Sequence, residues 1–109
     1  MDKIKNELIS LGMDEKLKGF FYSYCAIMII KNNGYFININ EVYLEIANCF
    51  DKKIYCIERS IRYAIEKTWE KGNYKKINQV FGYSVDRERG KPTNREFLFL
   101  LADKLYNIQ

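Results

Sequence analysis

Four side chains that could read DNA bases lie in one segment of the sequence, YCIERSIRYAIEKTWEKG, residues 55–72. Glu58 and Arg62 are four residues apart, as are Arg59 and Tyr63, so in a helix each pair would stand on adjacent turns. A guanidinium group can donate to both O6 and N7 of guanine. The Glu58 carboxylate could accept from the amino group of cytosine, or it could serve only to orient Arg62. A tyrosine can offer its hydroxyl to a phosphate and its ring edge to a thymine methyl group. These residue types at this spacing are typical of side chains that read base edges in a groove.

The same segment has an apolar face with helical spacing, which predicts an amphipathic helix over residues 55–71. Gly72 follows, and we expect this glycine to end the helix in the left-handed cap conformation. A helix that is buried on one side and carries arginines on the other fits the DNA major groove. A solvated charge ladder of Glu58, Arg62 and Glu66 would give the same pattern. The apolar face consists of Ile57, Ile61, Ala64, Ile65 and Trp69.

Cations cluster around this segment. Residues 52–91 contain eleven Lys or Arg against five Asp or Glu, whereas the rest of the chain has seven against nine. A basic segment in an otherwise slightly acidic chain favours a polyanionic partner, although chance asymmetry in a lysine-rich protein would look similar. We expect four side chains to contact the DNA backbone, which positions a protein without reading sequence. They are Lys52, Lys53, Tyr55 and Lys67.

The elements that would position this helix are all helical. At 109 residues the chain is long enough for one domain with a single core. We predict an all-α fold, a compact bundle of about six helices in one domain over residues 1–109. A helix near 43–50, a turn over 51–54 and the helix from Tyr55 match the helix-turn-helix pattern, although the turn lacks the glycine often found there.

The other boundaries follow from capping and turn residues. The first half is predicted to contain a helix over 2–11 ended by Gly12, a helix capped by Asp14 and running to about Lys31, a loop or short turn over 35–39, and a helical stretch from Asn40 that a break near Tyr43 could divide in two. The second half is predicted to contain a short helix from Asn73 to Gly82, a surface loop over 83–91, and a last helix opened by the capping box Thr93–Glu96.

The residue types argue against several classes of function. The chain has no histidine, three cysteines without CxxC spacing and no glycine-rich phosphate loop, so we expect neither an enzyme nor a bound metal or cofactor. Cys25 and Cys49 fall in apolar patterns and are predicted to be buried, whereas Cys56 is a candidate exposed thiol. The apolar run over 25–30 is too short to cross a bilayer, and residues 1–11 are unlike a signal peptide. We therefore expect a cytoplasmic protein without a membrane partner.

Several short sequence strings stand out by their order and by the distances between them. They are KGF.Y...AIM over 18–28, VY.EIA..F over 42–50, ERSIRYAIE over 58–66, W.KGN over 69–73, FGY over 81–83, GKPTN.EF over 90–97 and ADKL over 102–105. Together they resemble the C-terminal DNA-binding output domain of the master sporulation response regulator of endospore-forming bacteria. The resemblance covers about Leu17 to Leu105 and leaves residues 1–16 as an N-terminal extension.

The resemblance implies a six-helix bundle with a helix-turn-helix that binds short DNA boxes in promoters. Two copies can lie head to tail on tandem boxes, so the expected partner is double-stranded DNA, with RNA polymerase and a second copy on DNA as further candidates. Carried over, the helix from Tyr55 is the recognition helix, and about Tyr43–Phe50 is the first helix of the motif. Glu58, Arg59 and Arg62 match family positions that face DNA.

Three residues depart from the family pattern. Tyr63 stands where the family usually has a histidine, and Tyr55 and Cys56 stand where it has a serine cap and an arginine. These changes lie on the reading face, so they bear on which DNA sequence is read. An aromatic surface also suits protein contact, so the alternative function is a protein-interaction module acting on a full-length regulator or on RNA polymerase.

The family's regulators also carry an N-terminal receiver domain whose phosphorylated aspartate drives dimerisation. The present sequence would be either a stand-alone output domain or a fragment. A stand-alone copy would be expected to compete for the same DNA boxes and so to antagonise a full-length regulator.

Overall fold

The computed structural model describes residues 2–82 and 90–108 and shows six helices within them. No strand occurs in these residues, so the predicted all-α fold of about six helices is confirmed. Most of the surface loop predicted over 83–91 lies outside the described residues. The helices are α1 (Lys3–Leu11), α2 (Lys18–Asn33), α3 (Ile39–Phe50), α4 (Ile54–Lys71), α5 (Tyr74–Phe81) and α6 (Asn94–Tyr106).

Helix α4 lies at the centre of the bundle and contacts α2, α3, α5 and α6. Its apolar face is buried as predicted, except that Trp69 is only partly covered. The Trp69 ring packs edge-on against Phe81, with ring centroids 5.1 Å apart, and against Phe97, with centroids 6.0 Å apart. These contacts hold the C-terminal end of α4 against α5 and α6. The remainder of the helix is held by its buried residues, which are Ile57, Ile61, Ala64, Ile65 and Thr68.

Helix α2 crosses α4 at very short range. A Cβ atom on Gly19 would collide with the carbonyl oxygen of Ser60 and would lie 2.6 Å from the Cβ of Ala64. No side chain fits between the two backbones, so this glycine sets how closely α2 approaches the recognition helix predicted from the sequence. Ala64 contributes to the same close approach because its side chain is a single methyl group.

The start of α2 differs from the prediction. The helix begins at Lys18 with Leu17 at the N-cap, which forms no side-chain capping bond, so the predicted cap at Asp14 is wrong. The Asp14 carboxylate instead accepts from the backbone N–H of Lys16 at 2.9 Å and stabilises a separate turn. A side-chain bond to a nearby amide is a local alternative to helix capping, and here the alternative prevails.

Two glycines bring the end of α1 against the end of α4. Gly12 has φ 93° and caps α1 in the left-handed conformation, but Gly72 has φ −80°, so the left-handed cap predicted there is wrong. Glycine is needed at position 72 for space, because a Cβ would collide with the Thr68 carbonyl and lie 2.6 Å from the Leu11 carbonyl oxygen. That Leu11 oxygen accepts from the N–H of Asn73 at 2.9 Å, which fastens the α4–α5 corner to α1.

Helix α3 is continuous, and the predicted break near Tyr43 does not occur. Its N-cap is Asn38, two residues before the predicted start at Asn40, and the Asn38 side chain accepts from the N–H of Glu41 at 2.9 Å. Tyr43 lies inside this continuous helix, and its side chain is buried in the core at 3% exposure.

A three-residue turn, residues 51–53, joins α3 to α4. Asp51 adopts φ 52° and ψ 51°, a left-handed conformation that aspartate tolerates better than most residues. The next residue, Lys52, donates its backbone N–H to the carbonyl of Ala47 at 2.9 Å. Asp51 thus makes the reversal for which glycine was expected, and the pair α3–α4 is consistent with the predicted helix-turn-helix.

Helices α5 and α6 begin at the predicted caps. The side chain of Asn73 accepts from the N–H of Lys76 at 3.2 Å and opens α5. The hydroxyl of Thr93 accepts from the N–H of Glu96 at 3.1 Å, and the Glu96 carboxylate accepts from the N–H of Thr93 at 2.8 Å. The predicted capping box is therefore confirmed, and it holds the first turn of α6 rigidly.

The three cysteines are free thiols. Cys25 and Cys56 are half-buried, and burial raises the pKa of the Cys25 thiol. Cys49 is exposed, so its predicted burial is wrong: the last turn of α3 extends beyond the core, as the 40% exposure of neighbouring Phe50 also shows. None of the described helices is both long and apolar enough to cross a membrane.

Candidate nucleic-acid interface

The outer face of α4 presents Tyr55, Arg59 and Tyr63 on successive turns. Tyr55 and Tyr63 are 55% and 51% exposed, and Arg59 between them is also exposed. The guanidinium of Arg59 forms no hydrogen bond or ion pair with any other residue that the structure describes. No described residue therefore occupies its five N–H donors.

The predicted base-reading residue Arg62 lies on the flank of α4 that faces the start of α6. Its Nη1 donates to the carbonyl oxygen of Pro92 at 2.9 Å, and its Nε lies 3.6 Å from a carboxylate oxygen of Glu66. The Nε and Nη2 atoms are buried and have no hydrogen-bond acceptor among the described residues. The edge of the guanidinium formed by Nε and Nη2 must therefore be uncovered before it can bind a base.

Glu58 is exposed and stands one turn before Arg62. In the described part of the chain the ladder Glu58–Arg62–Glu66 is reduced to the pair Arg62–Glu66, so Glu58 does not hold the arginine through an ion pair. Its carboxylate remains available, whereas its backbone carbonyl accepts from the Asn94 side chain at 3.1 Å.

The residues predicted to contact the DNA backbone lie at two places. Lys52 and Lys53 are exposed in the turn before α4, beside Tyr55, and among the described residues neither lysine has an ion-pair partner. Lys67 lies two turns beyond Arg59, where its Nζ is 5.6 Å from the ring centroid of Tyr63 and 3.6 Å from a carboxylate oxygen of Glu70. The structure thus brings Lys52, Lys53 and Tyr55 together. Lys67 lies away from these three residues and contacts Glu70 and Tyr63 instead.

Sequence reasoning did not identify Asn94 as part of this region. Its side chain is 8% exposed and donates to the hydroxyl of Tyr43 at 3.0 Å as well as to the Glu58 carbonyl. Burial raises the pKa of Tyr43 above its ordinary value. A cleft of about 330 Å³ lies between α3, α4 and α6 at this point, lined in part by Tyr43, Glu58, Arg62 and Asn94.

The described residues contain no group of three or more His, Cys, Asp or Glu side chains that could hold a metal ion. The features that remain are an exposed arginine, two exposed tyrosines and lysines at the start of one helix. That chemistry is suited to hydrogen bonding with base edges and to neutralising phosphates.

Comparison with known families supports this interpretation. A family model described as the sporulation initiation factor Spo0A C-terminal domain matches residues 4–105, nearly the whole chain. That family is the DNA-binding effector domain of the sporulation regulator and is not a class of enzymes. The resemblance found in the sequence motifs is confirmed, and the chain belongs to the family of Spo0A C-terminal domains.

Proposed function

We propose that this protein is a sequence-specific transcription regulator that places the N-terminal half of α4 in the DNA major groove. The observation that carries the proposal is that the guanidinium of Arg59 is unpaired. This arginine is exposed and without a partner among the described residues, on the outer face of a helix whose other face packs into the core. A rigid helix that presents a free guanidinium is suited to bidentate binding of guanine.

Each neighbouring side chain has a role in this proposal. Arg59 and Arg62 read guanine, with Arg62 using its Nε and Nη2 edge once it turns away from the cleft. Glu58 accepts from a cytosine amino group, since its carboxylate is exposed and does not pair with Arg62. Tyr63 contacts a phosphate or a thymine methyl group from the adjacent turn.

Backbone contacts come from the turn and the edges of the helix. Lys52 and Lys53 face phosphates beside the start of α4, with Tyr55 next to them and Lys67 at the far side. Helix α4 has no side-chain cap and no acidic residue in its first turn, so the positive end of its dipole is not neutralised locally. Acting on promoter DNA, the protein would work in the cytoplasm, and tandem boxes would seat two copies.

The test is a selection of bound duplexes from a random DNA pool at two salt concentrations. We expect a single short motif that contains guanines, alone or as a tandem direct repeat, and no such motif for Arg59→Ala. Tight binding that loses affinity steeply with salt but yields no motif would contradict sequence reading, because phosphate contacts alone produce that behaviour.

A second candidate function has one supporting observation. Phe21 and Phe50 are 47% and 40% exposed and pack edge-to-face with ring centroids 5.1 Å apart, which forms an exposed aromatic surface beside the turn. Such a surface suits binding to a protein, such as a full-length regulator or RNA polymerase, and so an antagonist role. Loss of regulation in cells with Phe21→Ser but not with Arg59→Ala would favour this alternative.

A further inference from the structure

Asn94, the first residue of α6, contacts both helices of the predicted helix-turn-helix at once. Its Nδ2 donates to the hydroxyl of Tyr43 in α3 at 3.0 Å and to the carbonyl of Glu58 in α4 at 3.1 Å. A side-chain amide has two N–H donors, so both are used. The side chain is 8% exposed, and these bonds are therefore shielded from water.

The orientation of the amide follows from its partners. In the reversed orientation the oxygen Oδ1 would face the carbonyl oxygen of Glu58, and two acceptors would be opposed. The observed orientation leaves Oδ1 without a hydrogen-bond partner in the described structure. Two good bonds to α3 and α4 are thus formed even though one buried acceptor is left unsatisfied, which indicates that the contact to the two helices is the preferred one.

A second contact between α4 and the chain just before α6 lies one turn beyond Glu58, at Arg62. The carbonyl of Pro92 accepts from Nη1 of Arg62 at 2.9 Å. The Thr93–Glu96 capping box lies in the same stretch of chain and holds its backbone in place. In the free protein the segment 92–94 therefore holds α4 at residues 58 and 62. When Arg62 turns toward DNA, the Asn94 bonds remain to hold the helix.

We propose that Asn94 is a positioning residue for DNA recognition, an inference that rests on the proposed function. By holding α3 and α4 to the start of α6, it fixes the angle at which Arg59 and Arg62 meet the base edges. Base-edge hydrogen bonds require placement to within about 0.5 Å, whereas attraction between lysines and phosphates tolerates small displacements. Loss of the Asn94 bonds should therefore reduce discrimination between DNA sequences more than it reduces general affinity.

The experiment uses the full chain, the selected DNA box and a scrambled duplex of the same composition. Asn94→Leu keeps the approximate shape of the side chain and removes both donors without adding charge. Tyr43→Phe removes one of the two bonds and serves as a milder variant if Asn94→Leu does not fold. Glu7→Gln is the matched control, because it disturbs a buried carboxylate that pairs with Lys104 at 2.8 Å and links α1 to α6, away from these bonds.

For Asn94→Leu we expect cognate affinity to fall about tenfold, comparable to the loss of one good base contact. Scrambled-DNA affinity and the salt slope should stay within experimental error of the wild type. Tyr43→Phe should show a smaller loss in the same direction, and Glu7→Gln should lose thermal stability without losing discrimination.

Two results would overturn the positioning role while leaving the proposed function intact. One is that the folded variants Asn94→Leu and Tyr43→Phe prefer the selected box over the scrambled duplex as strongly as the wild type does. The other is an equal loss on cognate and scrambled DNA, which would mean that Asn94 only supports the fold. A wild type that shows no preference for any sequence would instead overturn the proposed function, and the positioning role with it.

Discussion

The two halves of α4 both carry arginine or lysine, but they hold these cations differently. In the N-terminal half Arg59 has no partner among the described residues. The C-terminal half supplies acidic partners: Glu66 reaches back to Arg62 at the end of the N-terminal half, 3.6 Å away, and Glu70 lies 3.6 Å from Lys67. Counted along the sequence the two halves look alike, whereas in the structure only the first presents an unpaired guanidinium.

The difference indicates which half of the helix would meet DNA. A cation that already has an internal carboxylate partner must exchange that partner for a phosphate or a base, so it contributes less to binding. Exposed pairs of this kind contribute only about 0–1 kcal/mol each, so the exchange is possible but lowers the gain. The acidic side chains Glu66 and Glu70 would also repel phosphates near the C-terminal half. Pairing within the protein therefore separates a reading half, residues 54–62, from a supporting half, residues 63–71, and Arg62 at the end of the reading half must first leave its partners.

The largest effects are expected from the two arginines of the reading half, one unpaired and one paired. Arg59→Ala and Arg62→Ala should each weaken binding to the selected box by at least about tenfold, since a bidentate base contact contributes roughly 1–3 kcal/mol of discrimination. Arg59→Ala should leave the melting temperature unchanged, whereas Arg62→Ala should also cost about 1 kcal/mol of stability, because the bond to the Pro92 carbonyl is lost. Anisotropy titrations and thermal melts measure the two effects. Equal preference for cognate and scrambled DNA in both variants and the wild type would remove the base-reading claim.

A smaller and non-specific effect is expected from the turn before α4. Lys53→Ala should lower affinity for every duplex by a similar factor and reduce the slope of log affinity against log salt by about one unit, since one phosphate contact is lost. Titrations at four salt concentrations on cognate and scrambled DNA give both numbers. A change in the ratio of the two affinities would show that this lysine takes part in base reading.

The supporting half should respond more weakly to the same kind of change. Lys67→Ala should reduce the salt slope by less than half as much as Lys53→Ala, because Glu70 and the Tyr63 ring already engage the ammonium group. Removing the acid instead, with Glu70→Gln, should release the lysine and raise affinity for scrambled DNA up to about twofold. If Lys67→Ala and Lys53→Ala give the same slope, pairing does not distinguish the two halves.

The smallest effect on DNA binding is expected at α1, which serves as a reference region. The Tyr24 hydroxyl donates to the Asp2 carboxylate at 2.6 Å, and this bond lowers the pKa of Asp2 below its ordinary value of 3.8. The resulting stabilisation is present above the unfolded-state pKa and is lost as the pH falls through the folded-state pKa. Asp2→Asn should therefore flatten the acid side of the stability profile while leaving DNA affinity at pH 7 unchanged. A steeper loss of stability in acid for the variant would contradict the sign of this linkage.

Much of the fold could be predicted because its signals are local. The capping box at Thr93, the cap at Asn73 and the apolar spacing of α4 each depend on residues within a few positions, and all three are found in the structure. The predictions are wrong where a distant part of the chain determines the packing or the exposure of a residue. Gly72 is glycine because the end of α1 packs against it, and Cys49 is exposed because α3 extends beyond the core. Neither fact is contained in the spacing of neighbouring residues.

The candidate site divides in the same way. The exposure of Arg59 followed from helical periodicity, because it lies opposite the apolar face. The contacts of Asn94 to Tyr43 and Glu58 span 51 and 36 residues, and that of Arg62 to Pro92 spans 30. An asparagine at the start of a helix looks like an ordinary solvated residue in a sequence. Only the packing of α6 against α3 and α4 turns it inward.

The left-handed residue in the turn restricts how this protein can evolve. An ordinary residue in the conformation of Asp51 would lose about 1–2 kcal/mol, and only glycine and asparagine could replace the aspartate without such strain. The adjacent lysines, Lys52 and Lys53, are exposed and carry no such restriction. Substitutions at the two lysines can therefore change the charge of the turn one unit at a time, while the residue at position 51 is restricted by the course of the chain between the two helices.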